Sequence, residues 1–236
     1  MNDEATLDSV KEYYGKILTS TASLQTTACT TGSAPTRQMR ELIAKVPKSV
    51  CDRFYGCGMT VPLGIEGLAV LDLGSGSGRD CYIAAQLVGP RGSVVGVDMT
   101  PEQLQVARAG VDEFAATLGW RPALSFVEGL IEHLPVGDAS VDLVISNCVV
   151  NLSPRKDLVL REAFRVLRDG GEMYFADVYC DRRLPEAVRQ HRVLWGECIA
   201  GALYLQDFVR LCHAAGFADP REVRCWCLLL LSSFCF

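Results

Sequence analysis

The sequence predicts an α/β fold built on a mostly parallel sheet. Three observations carry this. Short apolar runs without polar alternation recur near residues 69–73, 93–97, 124–127, 141–146 and 172–178, as expected of strands covered on both faces. Stretches with apolar residues at helical spacing separate them. A glycine-rich loop joins the first run to the helix that follows. A chain of 236 residues that is 49% apolar buries a core of this size, so wholesale disorder is excluded.

In order along the chain, Val10, Tyr13, Tyr14 and Ile17 fall at i, i+3, i+4, i+7 and predict an amphipathic helix over 6–18. Residues 19–36, rich in Thr, Ser and Ala, read as a loop that carries Cys29. Met39, Leu42, Ile43 and Val46 predict a second helix, stopped by Pro47. A glycine-flanked thiol, Gly56-Cys57-Gly58, follows in a turn. Residues 1–66 therefore read as an N-terminal helical extension, or lid, packed on a domain over 67–224. Within that domain, Thr100, Pro101 and Gln103 read as a capping box opening a helix that runs to about Leu118. Ser153-Pro154 starts another, ended by Asp169-Gly170-Gly171. Residues 225–236 are an apolar tail, an aggregation hazard or a partner surface.

The formal net charge of −5, with no basic runs, argues against nucleic acid as the main partner. No apolar stretch of about 18 residues exists to cross a membrane. The acidic start, Met1-Asn2-Asp3-Glu4, does not read as a secretory signal, and a cytoplasmic location is expected. The 11 cysteines of such a chain are expected to be reduced thiols. His133, His191 and His213 form no acid–base pattern and read as surface or packing residues.

The loop Gly74-Ser75-Gly76-Ser77-Gly78 has its third glycine one residue early for a dinucleotide fingerprint, and Asp72 precedes it. Both features favour S-adenosylmethionine; a dinucleotide, or a tight turn with no ligand, remains open. On this reading Asp72 faces the ammonium end and Asp98 the ribose. Ile131 and Glu132 border the adenine.

A sharper resemblance lies in Tyr13-Tyr14-Gly15-Lys16, Tyr55-Gly56-Cys57-Gly58, the 72–80 loop and Gly96-Val97-Asp98-Met99-Thr100. It continues in Ile145-Ser146-Asn147-Cys148, Glu172-Met173-Tyr174-Phe175-Ala176-Asp177 and Leu194-Trp195-Gly196-Glu197-Cys198. Together, in this order over about residues 10–220, these resemble the arsenite S-adenosylmethionine methyltransferases. The resemblance implies a Rossmann-like methyltransferase sheet with S-adenosylmethionine as cofactor, and methyl transfer to trivalent arsenic for detoxification. Met99 and Asn147 join the expected cofactor residues. It implies that Cys148, Cys198 and Cys57 ligate the arsenic and that Cys29 exchanges with Cys57, through a disulfide reduced by thioredoxin or glutathione. The chemistry agrees. Trivalent arsenic is soft and prefers thiolates, and three of them leave it a lone pair to attack a methyl carbon without a general base.

Of the other cysteines, Cys81 reads as a packing residue on the outward side of its helix, Cys51 as a competitor for arsenic, and Cys225-Trp226-Cys227 as a minor candidate for a soft ion. The family extends further, so a missing C-terminal domain is expected. The competing expectations are a weakly active or inactive chain that binds arsenite or S-adenosylmethionine, and a methyltransferase for another small molecule.

Overall fold

The structure, a computed structural model, describes residues 3–18 and 34–223, the side chain of Arg192 excepted. Five strands form the central sheet: β1 (Ala69–Leu73), β2 (Ser93–Asp98), β3 (Leu124–Glu128), β4 (Val141–Asn147) and β5 (Leu167–Ala176). Their order is β3-β2-β1-β4-β5, and every pair is parallel. The expected sheet is therefore present.

Alternation along each strand feeds two cores. Val70, Val94, Leu143 and Ile145 pack with α2 (Arg37–Ile43), α4 (Arg79–Val88), α5 (Pro101–Ala109) and α6 (Val111–Leu118). Leu71, Leu73, Val97 and Val144 pack with α7 (Lys156–Val166) and α10 (Leu205–Ala215) on the other face. Met39, Val50, Val61 and Ile65 complete the first core, so much of the N-terminal region is fastened to the sheet. It includes α3 (Lys48–Cys51).

Several local expectations differ. The first helix, α1, spans Asp3–Glu12 and widens into a π-turn at Tyr13–Ile17, which leaves Ile17 57% exposed. The helix over 101–118 divides at Gly110, a poor helix former. Thr100 precedes Pro101 at the start of α5, but its side chain makes no cap bond. Gln103 donates instead to the Tyr14 carbonyl at 2.9 Å. Pro154 lies before α7, which ends at Val166. The 169–171 glycine segment belongs to β5 rather than to a helix end, because Leu167 already pairs with Val141 and the register shifts before Glu172. Two short strands, β6 (Tyr179–Cys180) and β7 (Leu203–Tyr204), form a separate parallel pair. Between them lie α8 (Glu186–Arg189) and α9 (Arg192–Gly196).

The strand order reverses between β1 and β4. The carboxyl ends of strands at such a reversal are where open α/β sheets place ligands.

Candidate active site

β1 carries Asp72 to the sheet edge, and the chain turns through Gly74, Gly76 and Gly78, all at positive φ. Gly78 starts α4 in the left-handed conformation, where an added Cβ would stand 2.7 Å from the Phe126 ring. Only glycine fits there. The end of β2 is stapled to this loop by Asp98: Gly76 N donates to Oδ2 and Thr100 N to Oδ1, both at 2.8 Å. Burial raises the Asp98 pKa, and these amide bonds oppose the rise. Asp72 is buried and held well above the usual carboxylate range, first by burial and then by the nearby charge of Asp80. Cys81 is fully buried and donates its thiol to Asp72 Oδ2 at 3.1 Å. The expected outward position is thus wrong: strand, loop and helix fold back so that residues 72 and 81 meet. Three crowded, buried carboxylates suit a cationic ligand.

Asp72, Gly74, Gly76, Asp80 and Asp98 wall a cleft that opens to solvent. Of the residues expected to bind cofactor, Asp72, Gly74, Gly76, Asp98, Met99, Ile131, Glu132 and Asn147 line it, whereas Gly78 does not. Glu132 accepts from Ser153 Oγ at 2.5 Å. Leu7, Val10 and Tyr14 cover the cleft from α1 and the π-turn that continues it.

The thiols meet at the same edge. Asn147 uses its whole amide to fix the Cys57 turn. Oδ1 accepts from Cys57 N at 2.9 Å and Gly58 N at 3.2 Å; Nδ2 donates to Gly58 O at 2.9 Å and Asp80 Oδ2 at 2.7 Å. This brings the Cα atoms of Cys57 and Cys148 to 6.0 Å, and the two residues are joined by a disulfide. Cys57 is thus paired with Cys148 in this structure; Cys29, its expected exchange partner, lies outside the described residues. Cys148 lines the cleft as well. The Sγ of Cys198 donates to the Cys148 carbonyl at 2.9 Å. Sγ of Cys148, Sγ of Cys198 and a carboxylate oxygen of Asp177 all lie within 4.8 Å of one another.

Among the described residues only Ala139, Cys148 and Cys198 are non-glycine at positive φ. This conformation costs each about 1 kcal/mol or more and concentrates at working sites. The surroundings are apolar: Val10, Leu152, Met99, Val178 and Trp195.

Sequence reasoning missed what holds Cys198. Glu197 is fully buried and accepts from Tyr13 Oη at 2.9 Å; Tyr14 Oη donates to Gly196 O at 2.9 Å. Trp195 Nε1 donates to Leu152 O at 3.1 Å. Asn151 Nδ2 reaches Val178 O at 2.6 Å and Cys198 O at 3.3 Å. Lys156 is buried beneath, donating to Ser153 O at 2.8 Å and Asn151 O at 3.2 Å. Burial lowers its pKa to about 8. Asp177 accepts from Asn151 N at 2.9 Å and Val178 N at 3.0 Å, and burial of its carboxylate raises the pKa to about 7 although the residue keeps some surface. The only sequence signal was the repeated pairing of tyrosines and of polar residues beside cysteines.

Cys51 packs against the first core, away from the thiol cluster, and Cys212 lies in the second. The three histidines are exposed. Cys225, Cys227 and Cys235 lie outside the described residues. Among the described residues no helix is long and apolar enough to cross a membrane.

Residues 65–216 match the family described as "Methyltransferase domain", and the chain belongs to that class. Within it, the chain is 55% identical, with a TM-score of 0.81, to the crystal structure of an arsenic(III) S-adenosylmethionine methyltransferase from Chlamydomonas reinhardtii, covering 85% of this chain and 68% of that one. It is 52% identical to the arsenite methyltransferase of Aquipseudomonas alcaligenes over 92% of this chain and 63% of that protein. Against the Homo sapiens arsenite methyltransferase the identity is 45%, over 94% and 61%. The chain is a member of the arsenite methyltransferase family. It spans about three fifths of the length of these curated relatives.

Proposed function

We propose that this chain transfers methyl groups from S-adenosylmethionine to trivalent arsenic held by Cys57, Cys148 and Cys198. The observation that carries the reading is the convergence of these three thiol residues beside a cleft that Cys148 itself lines. The acidic corner of Asp72, Asp80 and Asp98 fits a cofactor that bears both a sulfonium and an ammonium group. When bound, S-adenosylmethionine supplies an electrophilic methyl group, and the arsenic lone pair is its acceptor. The residues of the chain do the rest. Asp72 faces the ammonium group and Asp98 the ribose, with Gly74, Gly76 and Met99 along the cleft. Ile131 and Glu132 border the adenine. Gly78 shapes the loop from outside the cleft, and Asn147 lines the cleft while fixing the Cys57 turn. Leu152, Val178 and Trp195 exclude water around the thiols, so alignment and desolvation replace acid–base catalysis.

The Cys57–Cys148 disulfide accepts two electrons and two protons from a thiol reductant, thioredoxin or glutathione, before arsenic enters. Each methyl transfer leaves arsenic formally two electrons more oxidised. Two thiols return it to the trivalent state and become a disulfide. Cys29 with Cys57 is the proposed pair for that step, and Cys29→Ser is expected to slow later turnovers more than the first.

The test is arsenic speciation by chromatography after incubation with arsenite, glutathione and S-adenosylmethionine. Methylated arsenic above a no-enzyme control is expected. A folded chain that binds both ligands and yields no product would contradict methyl transfer and leave an arsenite-binding protein.

A further inference from the structure

The thiol cluster contains one donor that the arsenic chemistry leaves unused. Trivalent arsenic is satisfied by three thiolates. The Asp177 carboxylate stands within 4.8 Å of the sulfurs of Cys148 and Cys198, and the sulfur of Cys57 is bonded to that of Cys148. Reduction of that bond leaves three thiols and one carboxylate side by side. This is the four-donor set of a closed tetrahedral site for a thiophilic divalent cation.

We propose that the reduced chain binds one divalent thiophilic cation, zinc or cadmium, through Cys57, Cys148, Cys198 and Asp177, and that this cation competes with arsenite. The proposal shares its thiols with the arsenic site and rests on their convergence, not on methyl transfer. In a tetrahedral site with metal–sulfur bonds of about 2.3 Å, donors stand roughly 3.8 Å apart. The separations among Cys148 Sγ, Cys198 Sγ and the Asp177 oxygen need to shrink by no more than about 1 Å, and reduction frees the Cys57 sulfur to draw back from that of Cys148. The carboxylate is oriented for ligation. Oδ2 accepts from Asn151 N and Oδ1 from Val178 N, and Val150 N is a third backbone donor to the carboxylate, which fixes the side chain and leaves one of its four acceptor positions for a metal. Lys156, the nearby cation, directs its Nζ to two backbone carbonyls. Cys148 and Cys198 are 3% and 0% exposed. With all four donors engaged, a cation here keeps no position for a reacting molecule and is inhibitory. Binding is also redox-gated, because the Cys57–Cys148 disulfide removes two of the four donors.

The test is titration of the reduced chain with cadmium chloride under nitrogen, read by thiolate charge-transfer absorption. Cadmium-113 NMR of the unaltered chain identifies the donor set, and arsenite binding is followed in parallel. One equivalent in a three-sulfur, one-oxygen site that displaces arsenite is expected. Asp177→Asn is expected to lose at least tenfold in cadmium affinity, and the oxidised chain to bind none in this site. Should Asp177→Asn fail to fold, the NMR donor set decides alone. Arsenite binding without cadmium binding, or cadmium bound by sulfur only, overturns the proposal and leaves the arsenic reading intact. Cadmium binding in the expected site without arsenite binding supports the proposal and sinks the arsenic reading. Binding of neither overturns both.

Discussion

The cofactor side and the thiol side share one sheet edge but are built in opposite ways. The cofactor side is contiguous: β1, its glycine loop and the start of α4 lie within about twenty residues, and Asp98 staples the next strand to them. The thiol side is assembled from three distant segments. Cys57 is pinned across 90 residues by Asn147, and the Cys198 turn is tied to the N-terminal π-turn through Tyr13–Glu197, 184 residues apart. A local motif creates the first, and only tertiary packing creates the second. Perturbations should therefore separate them.

The largest effect is expected for Cys198→Ser, which removes a thiol and leaves the glycine loop untouched. Arsenite methylation should fall by on the order of a thousandfold, while S-adenosylmethionine affinity, measured by calorimetry, changes by less than about threefold. Comparable loss of both would mean the two sides are one unit.

The next effect is on stability and belongs to the thiol side. Asp177 titrates near 7 in the fold against about 3.9 unfolded. The folded chain then holds more protons between about pH 4 and 7, so stability falls as pH rises through that window, by at most about 4 kcal/mol. Asp177→Asn should lack this component. Urea unfolding at pH 5 and pH 7.5 measures it, and equal slopes for both proteins would contradict it.

Gly78→Ala breaks the cofactor side instead. The left-handed φ of 91° and the clash with Phe126 should destabilise the fold by about 2 kcal/mol. S-adenosylmethionine binding should weaken while stoichiometric arsenite binding persists at low temperature. Cys81→Ala is the mildest. Asp72 loses a hydrogen-bond donor and its pKa rises further. Cofactor affinity at neutral pH should drop by a few-fold, with arsenite binding unaltered.

The same contrast explains what the sequence showed. The inner strands β1, β2 and β4 were legible because each is a short apolar run buried on two faces. The glycine loop was legible because its residues are neighbours in the chain. Gln103 was misread, since its helix-start position satisfies a capping pattern while the fold offers it the Tyr14 carbonyl. Cys81 was misread because helical periodicity does not show that the loop folds it under Asp72. Asp177 and Glu197 fell within motifs of the family resemblance, but nothing in the sequence assigned them a role. Glu197 is buried against Tyr13, 184 residues away, and Asp177 accepts from Asn151 N, 26 residues away, partners that no short window of sequence contains.

The central claim is that three thiols at the end of the cofactor cleft hold arsenic together. X-ray absorption at the arsenic edge, on the reduced chain with one equivalent of arsenite, tests it most directly. The expected result is three sulfur neighbours in the unaltered chain and a set reduced to two in each of Cys57→Ser, Cys148→Ser and Cys198→Ser. An arsenic shell with fewer than three sulfurs in the unaltered chain, or one that survives any of these substitutions unchanged, would contradict it.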